Sequence, residues 1–122
     1  MNLRCQPLPA TDSKTSGHPD EISPFCPRFQ YTLELIGRRW VGAIIRTLLG
    51  APRRFNEILG AVPGLSDRLL TERLRELENE GIVRRTVHAE RPVRVTYELT
   101  QCGSSLEPVV RSVSDWAERW VR

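Results

Sequence analysis

The amino-acid sequence predicts a mainly α-helical domain that carries one small β-hairpin. Apolar residues recur at helical spacing in five segments after residue 26. Two short β-rich segments follow the fourth of these and are joined by a charged turn that contains Pro92. Glycine or proline separates most of the segments, and 122 residues suit a single domain. We therefore expect four helices, a hairpin and a terminal helix.

The first two helices are predicted at residues 27–36 and 39–49. Proline at position 27 suits a first helical turn, because its fixed φ is already helical. Gly50 is a suitable C-cap for the second helix, and Pro52 prevents its continuation. The second helix has an apolar stripe made of Trp40, Ile44, Ile45, Leu48 and Leu49.

A helix-turn-helix is predicted next. A third helix covers residues 55–62, Pro63 and Gly64 form the turn, and Ser66 is a good N-cap for a fourth helix that ends at Gly81. The buried stripe of this fourth helix consists of Leu69, Leu70, Leu74 and Leu77. Mixed polar and charged residues occupy its other face.

The hairpin comprises residues 82–89, a turn at 90–94, and residues 95–99. Thr100 then caps one last helix that continues to the C-terminus. Residues 1–23 are rich in Pro, Thr, Ser, Asp and Gly, so we expect a flexible tail before a domain at residues 24–122. This order of elements is that of a winged helix-turn-helix, in which the fourth helix enters the major groove of DNA.

Polar and basic residues at the start of the fourth helix and along the hairpin are the predicted DNA contacts. Free backbone N–H groups at a helix N-terminus suit phosphate oxygens, and a basic loop beside a reading helix can touch the backbone or the minor groove. The predicted set is Arg54, Ser66, Asp67, Arg68, Thr71, Arg75, His88, Arg91 and Arg94. A charged outer helix face is more often only solvated, and Glu72 and Glu76 would repel phosphates.

The composition is that of an ordinary globular protein, with 39% hydrophobic residues, 27% charged residues and a net charge of +3. Lys14 is the only lysine among 18 basic residues. Arginine suits phosphate and guanine recognition, although a genome rich in G and C would produce the same bias. A membrane span and a signal peptide are both absent, so we expect a cytoplasmic protein. Sequence motifs for catalysis, a cofactor or a metal site are also absent.

Several motifs resemble the HxlR-type regulators, relatives of the MarR class. They are CP at residues 26–27, IGRRW at 36–40, RRFNEI at 53–58, PGLS at 63–66, LTERLREL at 70–77, EGIVRR at 80–85, PVRVTYELT at 92–100, Gly103 and Trp116. The sequence departs from the family pattern at Arg38, where glycine is frequent, and at Val93, where a second proline is frequent. The resemblance implies a homodimeric repressor or activator that responds to a chemical or redox signal.

The dimer interface is predicted on the first and last helices. Its residues are Phe29, Leu33, Leu106, Val109, Val110, Val113, Trp116 and Trp120. The last helix could instead pack back on its own domain. Such a dimer would place two reading helices about 34 Å apart on a pseudo-palindromic operator.

The chemical signal to which such a regulator would respond is predicted in less detail than its fold. Some HxlR-type regulators sense oxidants or electrophiles through a cysteine that matches Cys26, although a buried structural cysteine is more common. Cys102 is an alternative reactive thiol at the start of the last helix, and Cys5 lies in the tail. A small-molecule or oxidant effector is expected. The alternative function is a winged-helix adaptor that binds only proteins, which would not need a basic hairpin.

Overall fold

The computed structural model describes residues 22–122. The tail predicted at residues 1–23 therefore lies almost wholly outside the described residues, as does Cys5. The described elements are α1 (Pro27–Ile36), α2 (Val41–Gly50), α3 (Phe55–Ala61), α4 (Asp67–Asn79), β1 (Val83–His88), β2 (Arg94–Leu99), α5 (Gln101–Ser104) and α6 (Glu107–Trp120). This is a mainly helical winged helix-turn-helix with a two-stranded antiparallel wing.

The hydrophobic core is one cluster to which α2 and α4 contribute most. Its buried members include Val41, Ile44, Ile45 and Leu48 from α2, Ile58 from α3, Leu70, Leu74 and Leu77 from α4, and Ile82 and Val83 at the start of the wing. The apolar positions of each helix recur every three or four residues, so they share the face that leaves water. The stripes predicted on α2 and α4 are confirmed, and the opposite face of α4 is left exposed.

The helix-turn-helix is fixed by a close contact between Trp40 and Gly64. Gly64 has a left-handed φ of 88°, and a Cβ there would lie 3.3 Å from the Trp40 ring. Trp40 itself has a left-handed φ of 76°, which is rare for a residue with a side chain. For this reason α2 begins at Val41 rather than at the predicted residue 39. The α3 helix ends one residue earlier than predicted, at Ala61.

The wing is an antiparallel pair whose register runs from Val83 opposite Leu99 to His88 opposite Arg94. Arg53, just before α3, extends this sheet. Its backbone N–H donates to the Tyr97 carbonyl at 2.9 Å, and the Tyr97 N–H donates to the Arg53 carbonyl at 2.7 Å. The wing is therefore hydrogen-bonded directly to the segment that leads into the helix-turn-helix.

The prediction of one continuous terminal helix is wrong, because the chain turns between α5 and α6. Thr100 caps α5 by accepting a hydrogen bond from the Gly103 N–H at 3.1 Å. Pro108 stands near the start of α6 and has no N–H to bond the Ser104 carbonyl, so an uninterrupted helix would lose that bond and bring the proline ring against the preceding turn. Proline is well accommodated in a first helical turn instead.

Candidate nucleic-acid interface

The N-terminus of α4 is an ordered, exposed helix end. The Ser66 hydroxyl oxygen accepts a hydrogen bond from the Leu69 N–H at 3.2 Å, as an N-cap does. Asp67 lies in the first turn and is exposed, as is Ser66. A carboxylate at this end favours the helix dipole but opposes a phosphate. The other backbone N–H groups in the first turn of α4 are the groups at this helix end that can bind an anion.

Arg68 is a highly solvent-exposed charged side chain on this face. Its side chain is 91% exposed, and its one ion pair within residues 22–122 is to Glu72 one turn later, at a long 3.4 Å. An exposed ion pair of this kind contributes roughly 0.3–0.5 kcal/mol, so it holds the guanidinium only weakly. Arg68 is therefore free to turn toward another acceptor.

Thr71 and Arg75 continue the same exposed face. The Thr71 hydroxyl donates to the Asp67 carbonyl at 2.8 Å, which leaves its oxygen lone pairs turned outward as acceptors. Within residues 22–122, the Arg75 side chain has neither a hydrogen bond nor an ion pair. The face behind them is buried through Leu70 and Leu74. The structure thus brings together the α4 residues that were predicted to read DNA.

Two arginines that the sequence did not single out pair with Glu76 of α4. Glu76 accepts from the Arg38 guanidinium at 3.0 Å and from that of Arg73 at 3.0 Å. Arg73 is largely buried and also donates to the Arg39 carbonyl at 3.0 Å. The Arg73–Glu76 ion pair could have been predicted, because residues three positions apart on a helix are neighbours. The Arg38–Glu76 contact could not, because it depends on the tertiary fold. Glu76 is thus not the unpaired repulsive charge that the sequence suggested.

A groove between the wing and the start of α3 collects three predicted contact residues. Arg54, His88 and Arg94 line it together with Glu57, Thr86, Thr96 and other residues, and its volume is about 300 Å³. The His88 ring Nε2 lies 2.9 Å from the Thr96 hydroxyl, and the Arg54 N–H donates to the Glu57 carboxylate at 2.9 Å. The groove could not be predicted from the sequence, because it depends on the pairing of Arg53 with Tyr97.

The two arginines predicted at the wing tip differ in their surroundings. Arg91 is fully in the turn and exposed. Arg94 is the first residue of β2, is half-buried, and pairs with Glu90 at 3.3 Å. Its Nε is buried with no partner within the described residues. The prediction that placed Arg94 in the turn at residues 90–94 is therefore wrong, because β2 begins one residue earlier than predicted.

Cys26 is an exposed free thiol at the N-cap of α1. The N–H of Phe29 in the first turn favours the thiolate most, the N–H and guanidinium of Arg28 add to this, and desolvation opposes them in part. Together these groups lower the pKa of the Cys26 thiol below its ordinary value. Cys102, the alternative reactive thiol, is bonded in a disulfide and offers no thiol to alkylation.

The apolar residues predicted at a dimer interface fall into two groups. Leu106 and Val110 are half-buried and pack against the core of their own domain. The others form exposed apolar faces: Phe29 and Leu33 on α1, and Val109, Val113, Trp116 and Trp120 on α6. The two tryptophans are 61% and 64% exposed. The α6 helix has no buried residue at all, so its own domain covers only one side of it.

Residues 22–122 show neither a membrane span nor a metal site. Within that range no helix is long and apolar enough to cross a membrane. The same residues contain no group of three or more His, Cys, Asp or Glu side chains that could hold a metal ion.

Comparison with known proteins identifies the family. The HxlR-like helix-turn-helix family matches residues 35–122. Among curated proteins, the uncharacterized HTH-type transcriptional regulator YvaP of Bacillus subtilis strain 168 is 46% identical over 99 residues, which are 81% of this chain and 92% of YvaP.

Solved structures support the same assignment. The reduced form of the B. subtilis transcriptional regulator YodB is 41% identical, with a TM-score of 0.74 over 80% of this chain and 96% of that one. YodB has also been solved in a quinone-bound form. The redox regulator HypR in its reduced form is 39% identical, with a TM-score of 0.71 over 75% and 91% of the two chains.

The MarR relationship is found as well. A regulator described as MarR-family from Porphyromonas gingivalis W83 is 25% identical, with a TM-score of 0.74 over 83% of this chain and 99% of that one. The winged fold, the matched family and these regulators agree with one another. The chain belongs to the HxlR-like helix-turn-helix family and is a transcriptional regulator of that type.

Proposed function

We propose that the protein binds double-stranded DNA as a homodimer, with α4 in the major groove. The observation that carries the proposal is the capped, exposed N-terminus of α4 with Arg68, Thr71 and Arg75 on its outer face. Arginine can donate two hydrogen bonds to guanine, and an outward hydroxyl can accept from or donate to several bases. Arg68 and Arg75 are thus assigned to base edges, and Ser66 and the first-turn N–H groups to phosphate.

The wing is assigned to the DNA backbone. Arg91 is exposed in the turn, and the groove lined by Arg54, His88 and Arg94 offers cationic groups beside it. To contact a phosphate, Arg94 would have to give up its ion pair with Glu90. Its net gain in binding free energy would therefore be smaller than that of an unpaired arginine. We therefore assign the larger contribution to Arg91. Contacts of this kind add affinity and orientation without reading sequence.

Homodimerisation is proposed through the exposed apolar faces of α1 and α6. Val109, Val113, Trp116 and Trp120 follow one another at intervals of four, three and four residues, so they share one face of α6. Contiguous exposed apolar surface of this kind is typical of an interaction site. A two-fold dimer would present two α4 helices to successive major grooves of a pseudo-palindromic operator.

We assign signal detection to Cys26. Its thiol is exposed and its pKa is lowered, and both favour reaction with oxidants and electrophiles. The similar YodB has been solved with a quinone bound, which supports an electrophile as the signal class. Modification at the start of α1 would act on the proposed dimer face, because Phe29 and Leu33 lie on the same helix.

The test is DNA binding by the purified full-length protein across a salt series. Genomic fragments that include the protein's own promoter region are compared with a scrambled fragment of equal length, from about 50 to 200 mM salt. We expect dimer binding that prefers one genomic fragment and weakens as salt rises. Binding that is weak, unselective and independent of salt would contradict the proposal and would favour the adaptor function.

A further inference from the structure

One face of the wing carries polar side chains on both strands. Successive side chains of a strand point to opposite faces. The register therefore puts four polar residues on the same face: Thr86 and His88 from β1, and Arg94 and Thr96 from β2. All four line the groove between the wing and the start of α3. The His88 ring is half-buried in this groove, with its Nε2 2.9 Å from the Thr96 hydroxyl.

Two ion pairs border the groove and add no net charge to it. Arg94 pairs with Glu90 at 3.3 Å, and Arg84 pairs with Glu98 at 3.4 Å. Both pairs are long and partly exposed, so each holds its arginine only weakly. The Arg94 Nε is also buried without a hydrogen-bond partner among the described residues. An anion that drew Arg94 away from Glu90 would satisfy this N–H, which offsets part of the lost ion pair.

The remaining charges of the groove belong to Arg54, Glu57 and His88. The Arg54 guanidinium has no ion pair within residues 22–122, and Glu57 accepts a hydrogen bond from the Arg54 backbone N–H at 2.9 Å. These two residues contribute one charge of each sign. The charge on the imidazole of His88 therefore decides whether the groove is neutral or positive. Histidine is the side chain that ordinarily gains a proton between about pH 8 and about pH 5.

We infer that this groove binds a phosphate group and that protonation of His88 strengthens the binding. Both ring N–H groups of an imidazolium are donors. Nε2 contacts Thr96, whereas Nδ1 has no hydrogen bond within residues 22–122 and can donate to an anion. The guanidinium groups of Arg54 and Arg94 can add charge-assisted hydrogen bonds to the same phosphate.

The phosphate is assigned to the DNA backbone, and in this respect the inference rests on the proposed function. A phosphodiester keeps its negative charge throughout the range in which histidine titrates. The affinity for DNA should therefore rise as the pH falls, through a contact that does not read sequence. A free oxyanion would bind by the same chemistry, so the experiment measures DNA and a small anion separately.

The first measurement is binding of the full-length protein to its selected promoter fragment across a salt series, at about pH 7.5 and about pH 5.5. One additional phosphate contact should steepen the slope of log affinity against log salt by about 0.9 at the lower pH. His88→Gln keeps a polar side chain without a titratable ring and should remove this change. His18→Gln is the matched control and should retain it, since His18 is the other histidine of the chain and lies outside the described residues.

The second measurement uses sulfate without DNA, because sulfate keeps a constant charge in this pH range. Amide resonances of Thr86 and Thr96 are followed by NMR, with chloride of equal ionic strength as the reference. We expect saturable shifts and about fivefold tighter binding at the lower pH, within the range for a partly exposed ion pair. Glu57→Gln removes one negative charge, and glutamine can still accept the Arg54 N–H. At the higher pH this variant should bind sulfate as tightly as the wild type does at the lower pH.

Equal sulfate affinity at the two pH values, or a pH-dependent salt slope that His88→Gln retains, would overturn the inference. If His88→Gln does not fold, the Glu57→Gln comparison decides. Sulfate binding that requires His88, together with a constant DNA slope, would keep the site and assign it to a free oxyanion. Selective DNA binding without sulfate binding and with a constant slope overturns this inference alone. Sulfate binding that tightens as the pH falls, without any DNA binding, overturns the proposed function and leaves the site standing.

Discussion

Tyr31 of α1 donates a hydrogen bond from its phenolic oxygen to a carboxylate oxygen of Glu80, at 2.5 Å. Glu80 is the C-cap of α4, so this contact joins α1, whose N-cap is Cys26, to the end of the proposed reading helix. Both groups are partly buried, and the bond spans 49 residues of sequence. Any displacement of α1 therefore acts on α4 through a polar contact as well as through the core.

Replacing Tyr31 by phenylalanine should lower the free energy of unfolding by about 1 kcal/mol at pH 7, the net value of one hydrogen bond. The hydrogen bond to Glu80 raises the pKa of Tyr31, because the neutral phenol is the donor. The stabilisation is therefore complete below the ordinary tyrosine pKa of about 10 and is lost as the pH rises through the raised value.

Urea denaturation of wild type and Tyr31→Phe at pH 7 and above pH 10 measures this difference, which should shrink at the higher pH. Tyr97→Phe is the matched control, since the Tyr97 hydroxyl has no hydrogen-bond partner within the described residues. An equal loss in both variants would mean that the Tyr31–Glu80 contact adds no stability.

Gly103→Ala should be severely destabilising. The Gly103 Cβ position falls against the Ile82 carbonyl, a backbone atom that cannot move aside, and also lies 3.1 Å from Leu99. We expect a loss of about 2 kcal/mol or more, within the range for overpacking. Thermal denaturation compares it with Gly60→Ala, where a Cβ has nothing within 4 Å. That control should gain up to ~1 kcal/mol, because alanine is the better helix former.

Arg68→Ala should weaken binding to the selected promoter fragment about tenfold or more, since a base-contacting arginine contributes roughly 1–3 kcal/mol. Arg111→Ala on α6 is a close control, because Arg111 also pairs with a glutamate four residues away and is 70% exposed. Fluorescence anisotropy at fixed salt measures both variants. If they lose the same affinity, the effect is one of net charge and α4 does not read the sequence through Arg68.

The Cys26 thiol should be alkylated faster than an ordinary cysteine at pH 7.5, because its lowered pKa increases the thiolate fraction. The rate with iodoacetamide is followed by mass spectrometry of the Cys26 peptide between pH 6 and pH 10. Its midpoint should lie below that of the same peptide in denatured protein. Identical midpoints would mean that the start of α1 does not lower the pKa of Cys26. In a separate DNA-binding measurement, Cys26→Ser should abolish any loss of binding that quinone treatment causes in the wild type.

Trp116→Ala should raise the dimer dissociation constant about 30-fold or more, since truncating a central interface tryptophan costs about 2 kcal/mol or more. Sedimentation velocity over a dilution series measures this. Val87→Ala removes an exposed apolar side chain from the wing and should leave the dimer unchanged. A monomeric wild type would contradict the interface on α6.

The sequence predicted the helices best where local chemistry and burial agree. In α4, Ser66 caps the helix and every third or fourth residue is leucine, so both signals give the same boundary and the same buried face. The α1 helix has the predicted bounds because Pro27 starts it and Gly37 ends it. The outer face of α4 then follows from its inner face, which is why five predicted contact residues lie together there.

Prediction failed where a long-range contact overrides the local pattern. Trp40 takes a left-handed conformation against Gly64, a partner 24 residues away, and so delays the start of α2. Arg94 is held by strand pairing rather than left in the turn. The break before α6 has a local cause, because Pro108 is a helix-breaking signal that the sequence contains. The continuous apolar pattern from Leu106 to Trp120 nevertheless favoured one uninterrupted helix, and that prediction was wrong.

The two backbone hydrogen bonds between Arg53 and Tyr97 have a mechanical consequence. They tie the entrance of α3 to the middle of β2, so the wing and the start of the helix-turn-helix cannot hinge against each other without breaking these two hydrogen bonds. In the proposed dimer, the wing of each copy would then keep a fixed position relative to its own helix-turn-helix. A signal would tilt or translate whole copies relative to one another, so each half-site would keep its own contacts while the distance between the two would cease to match.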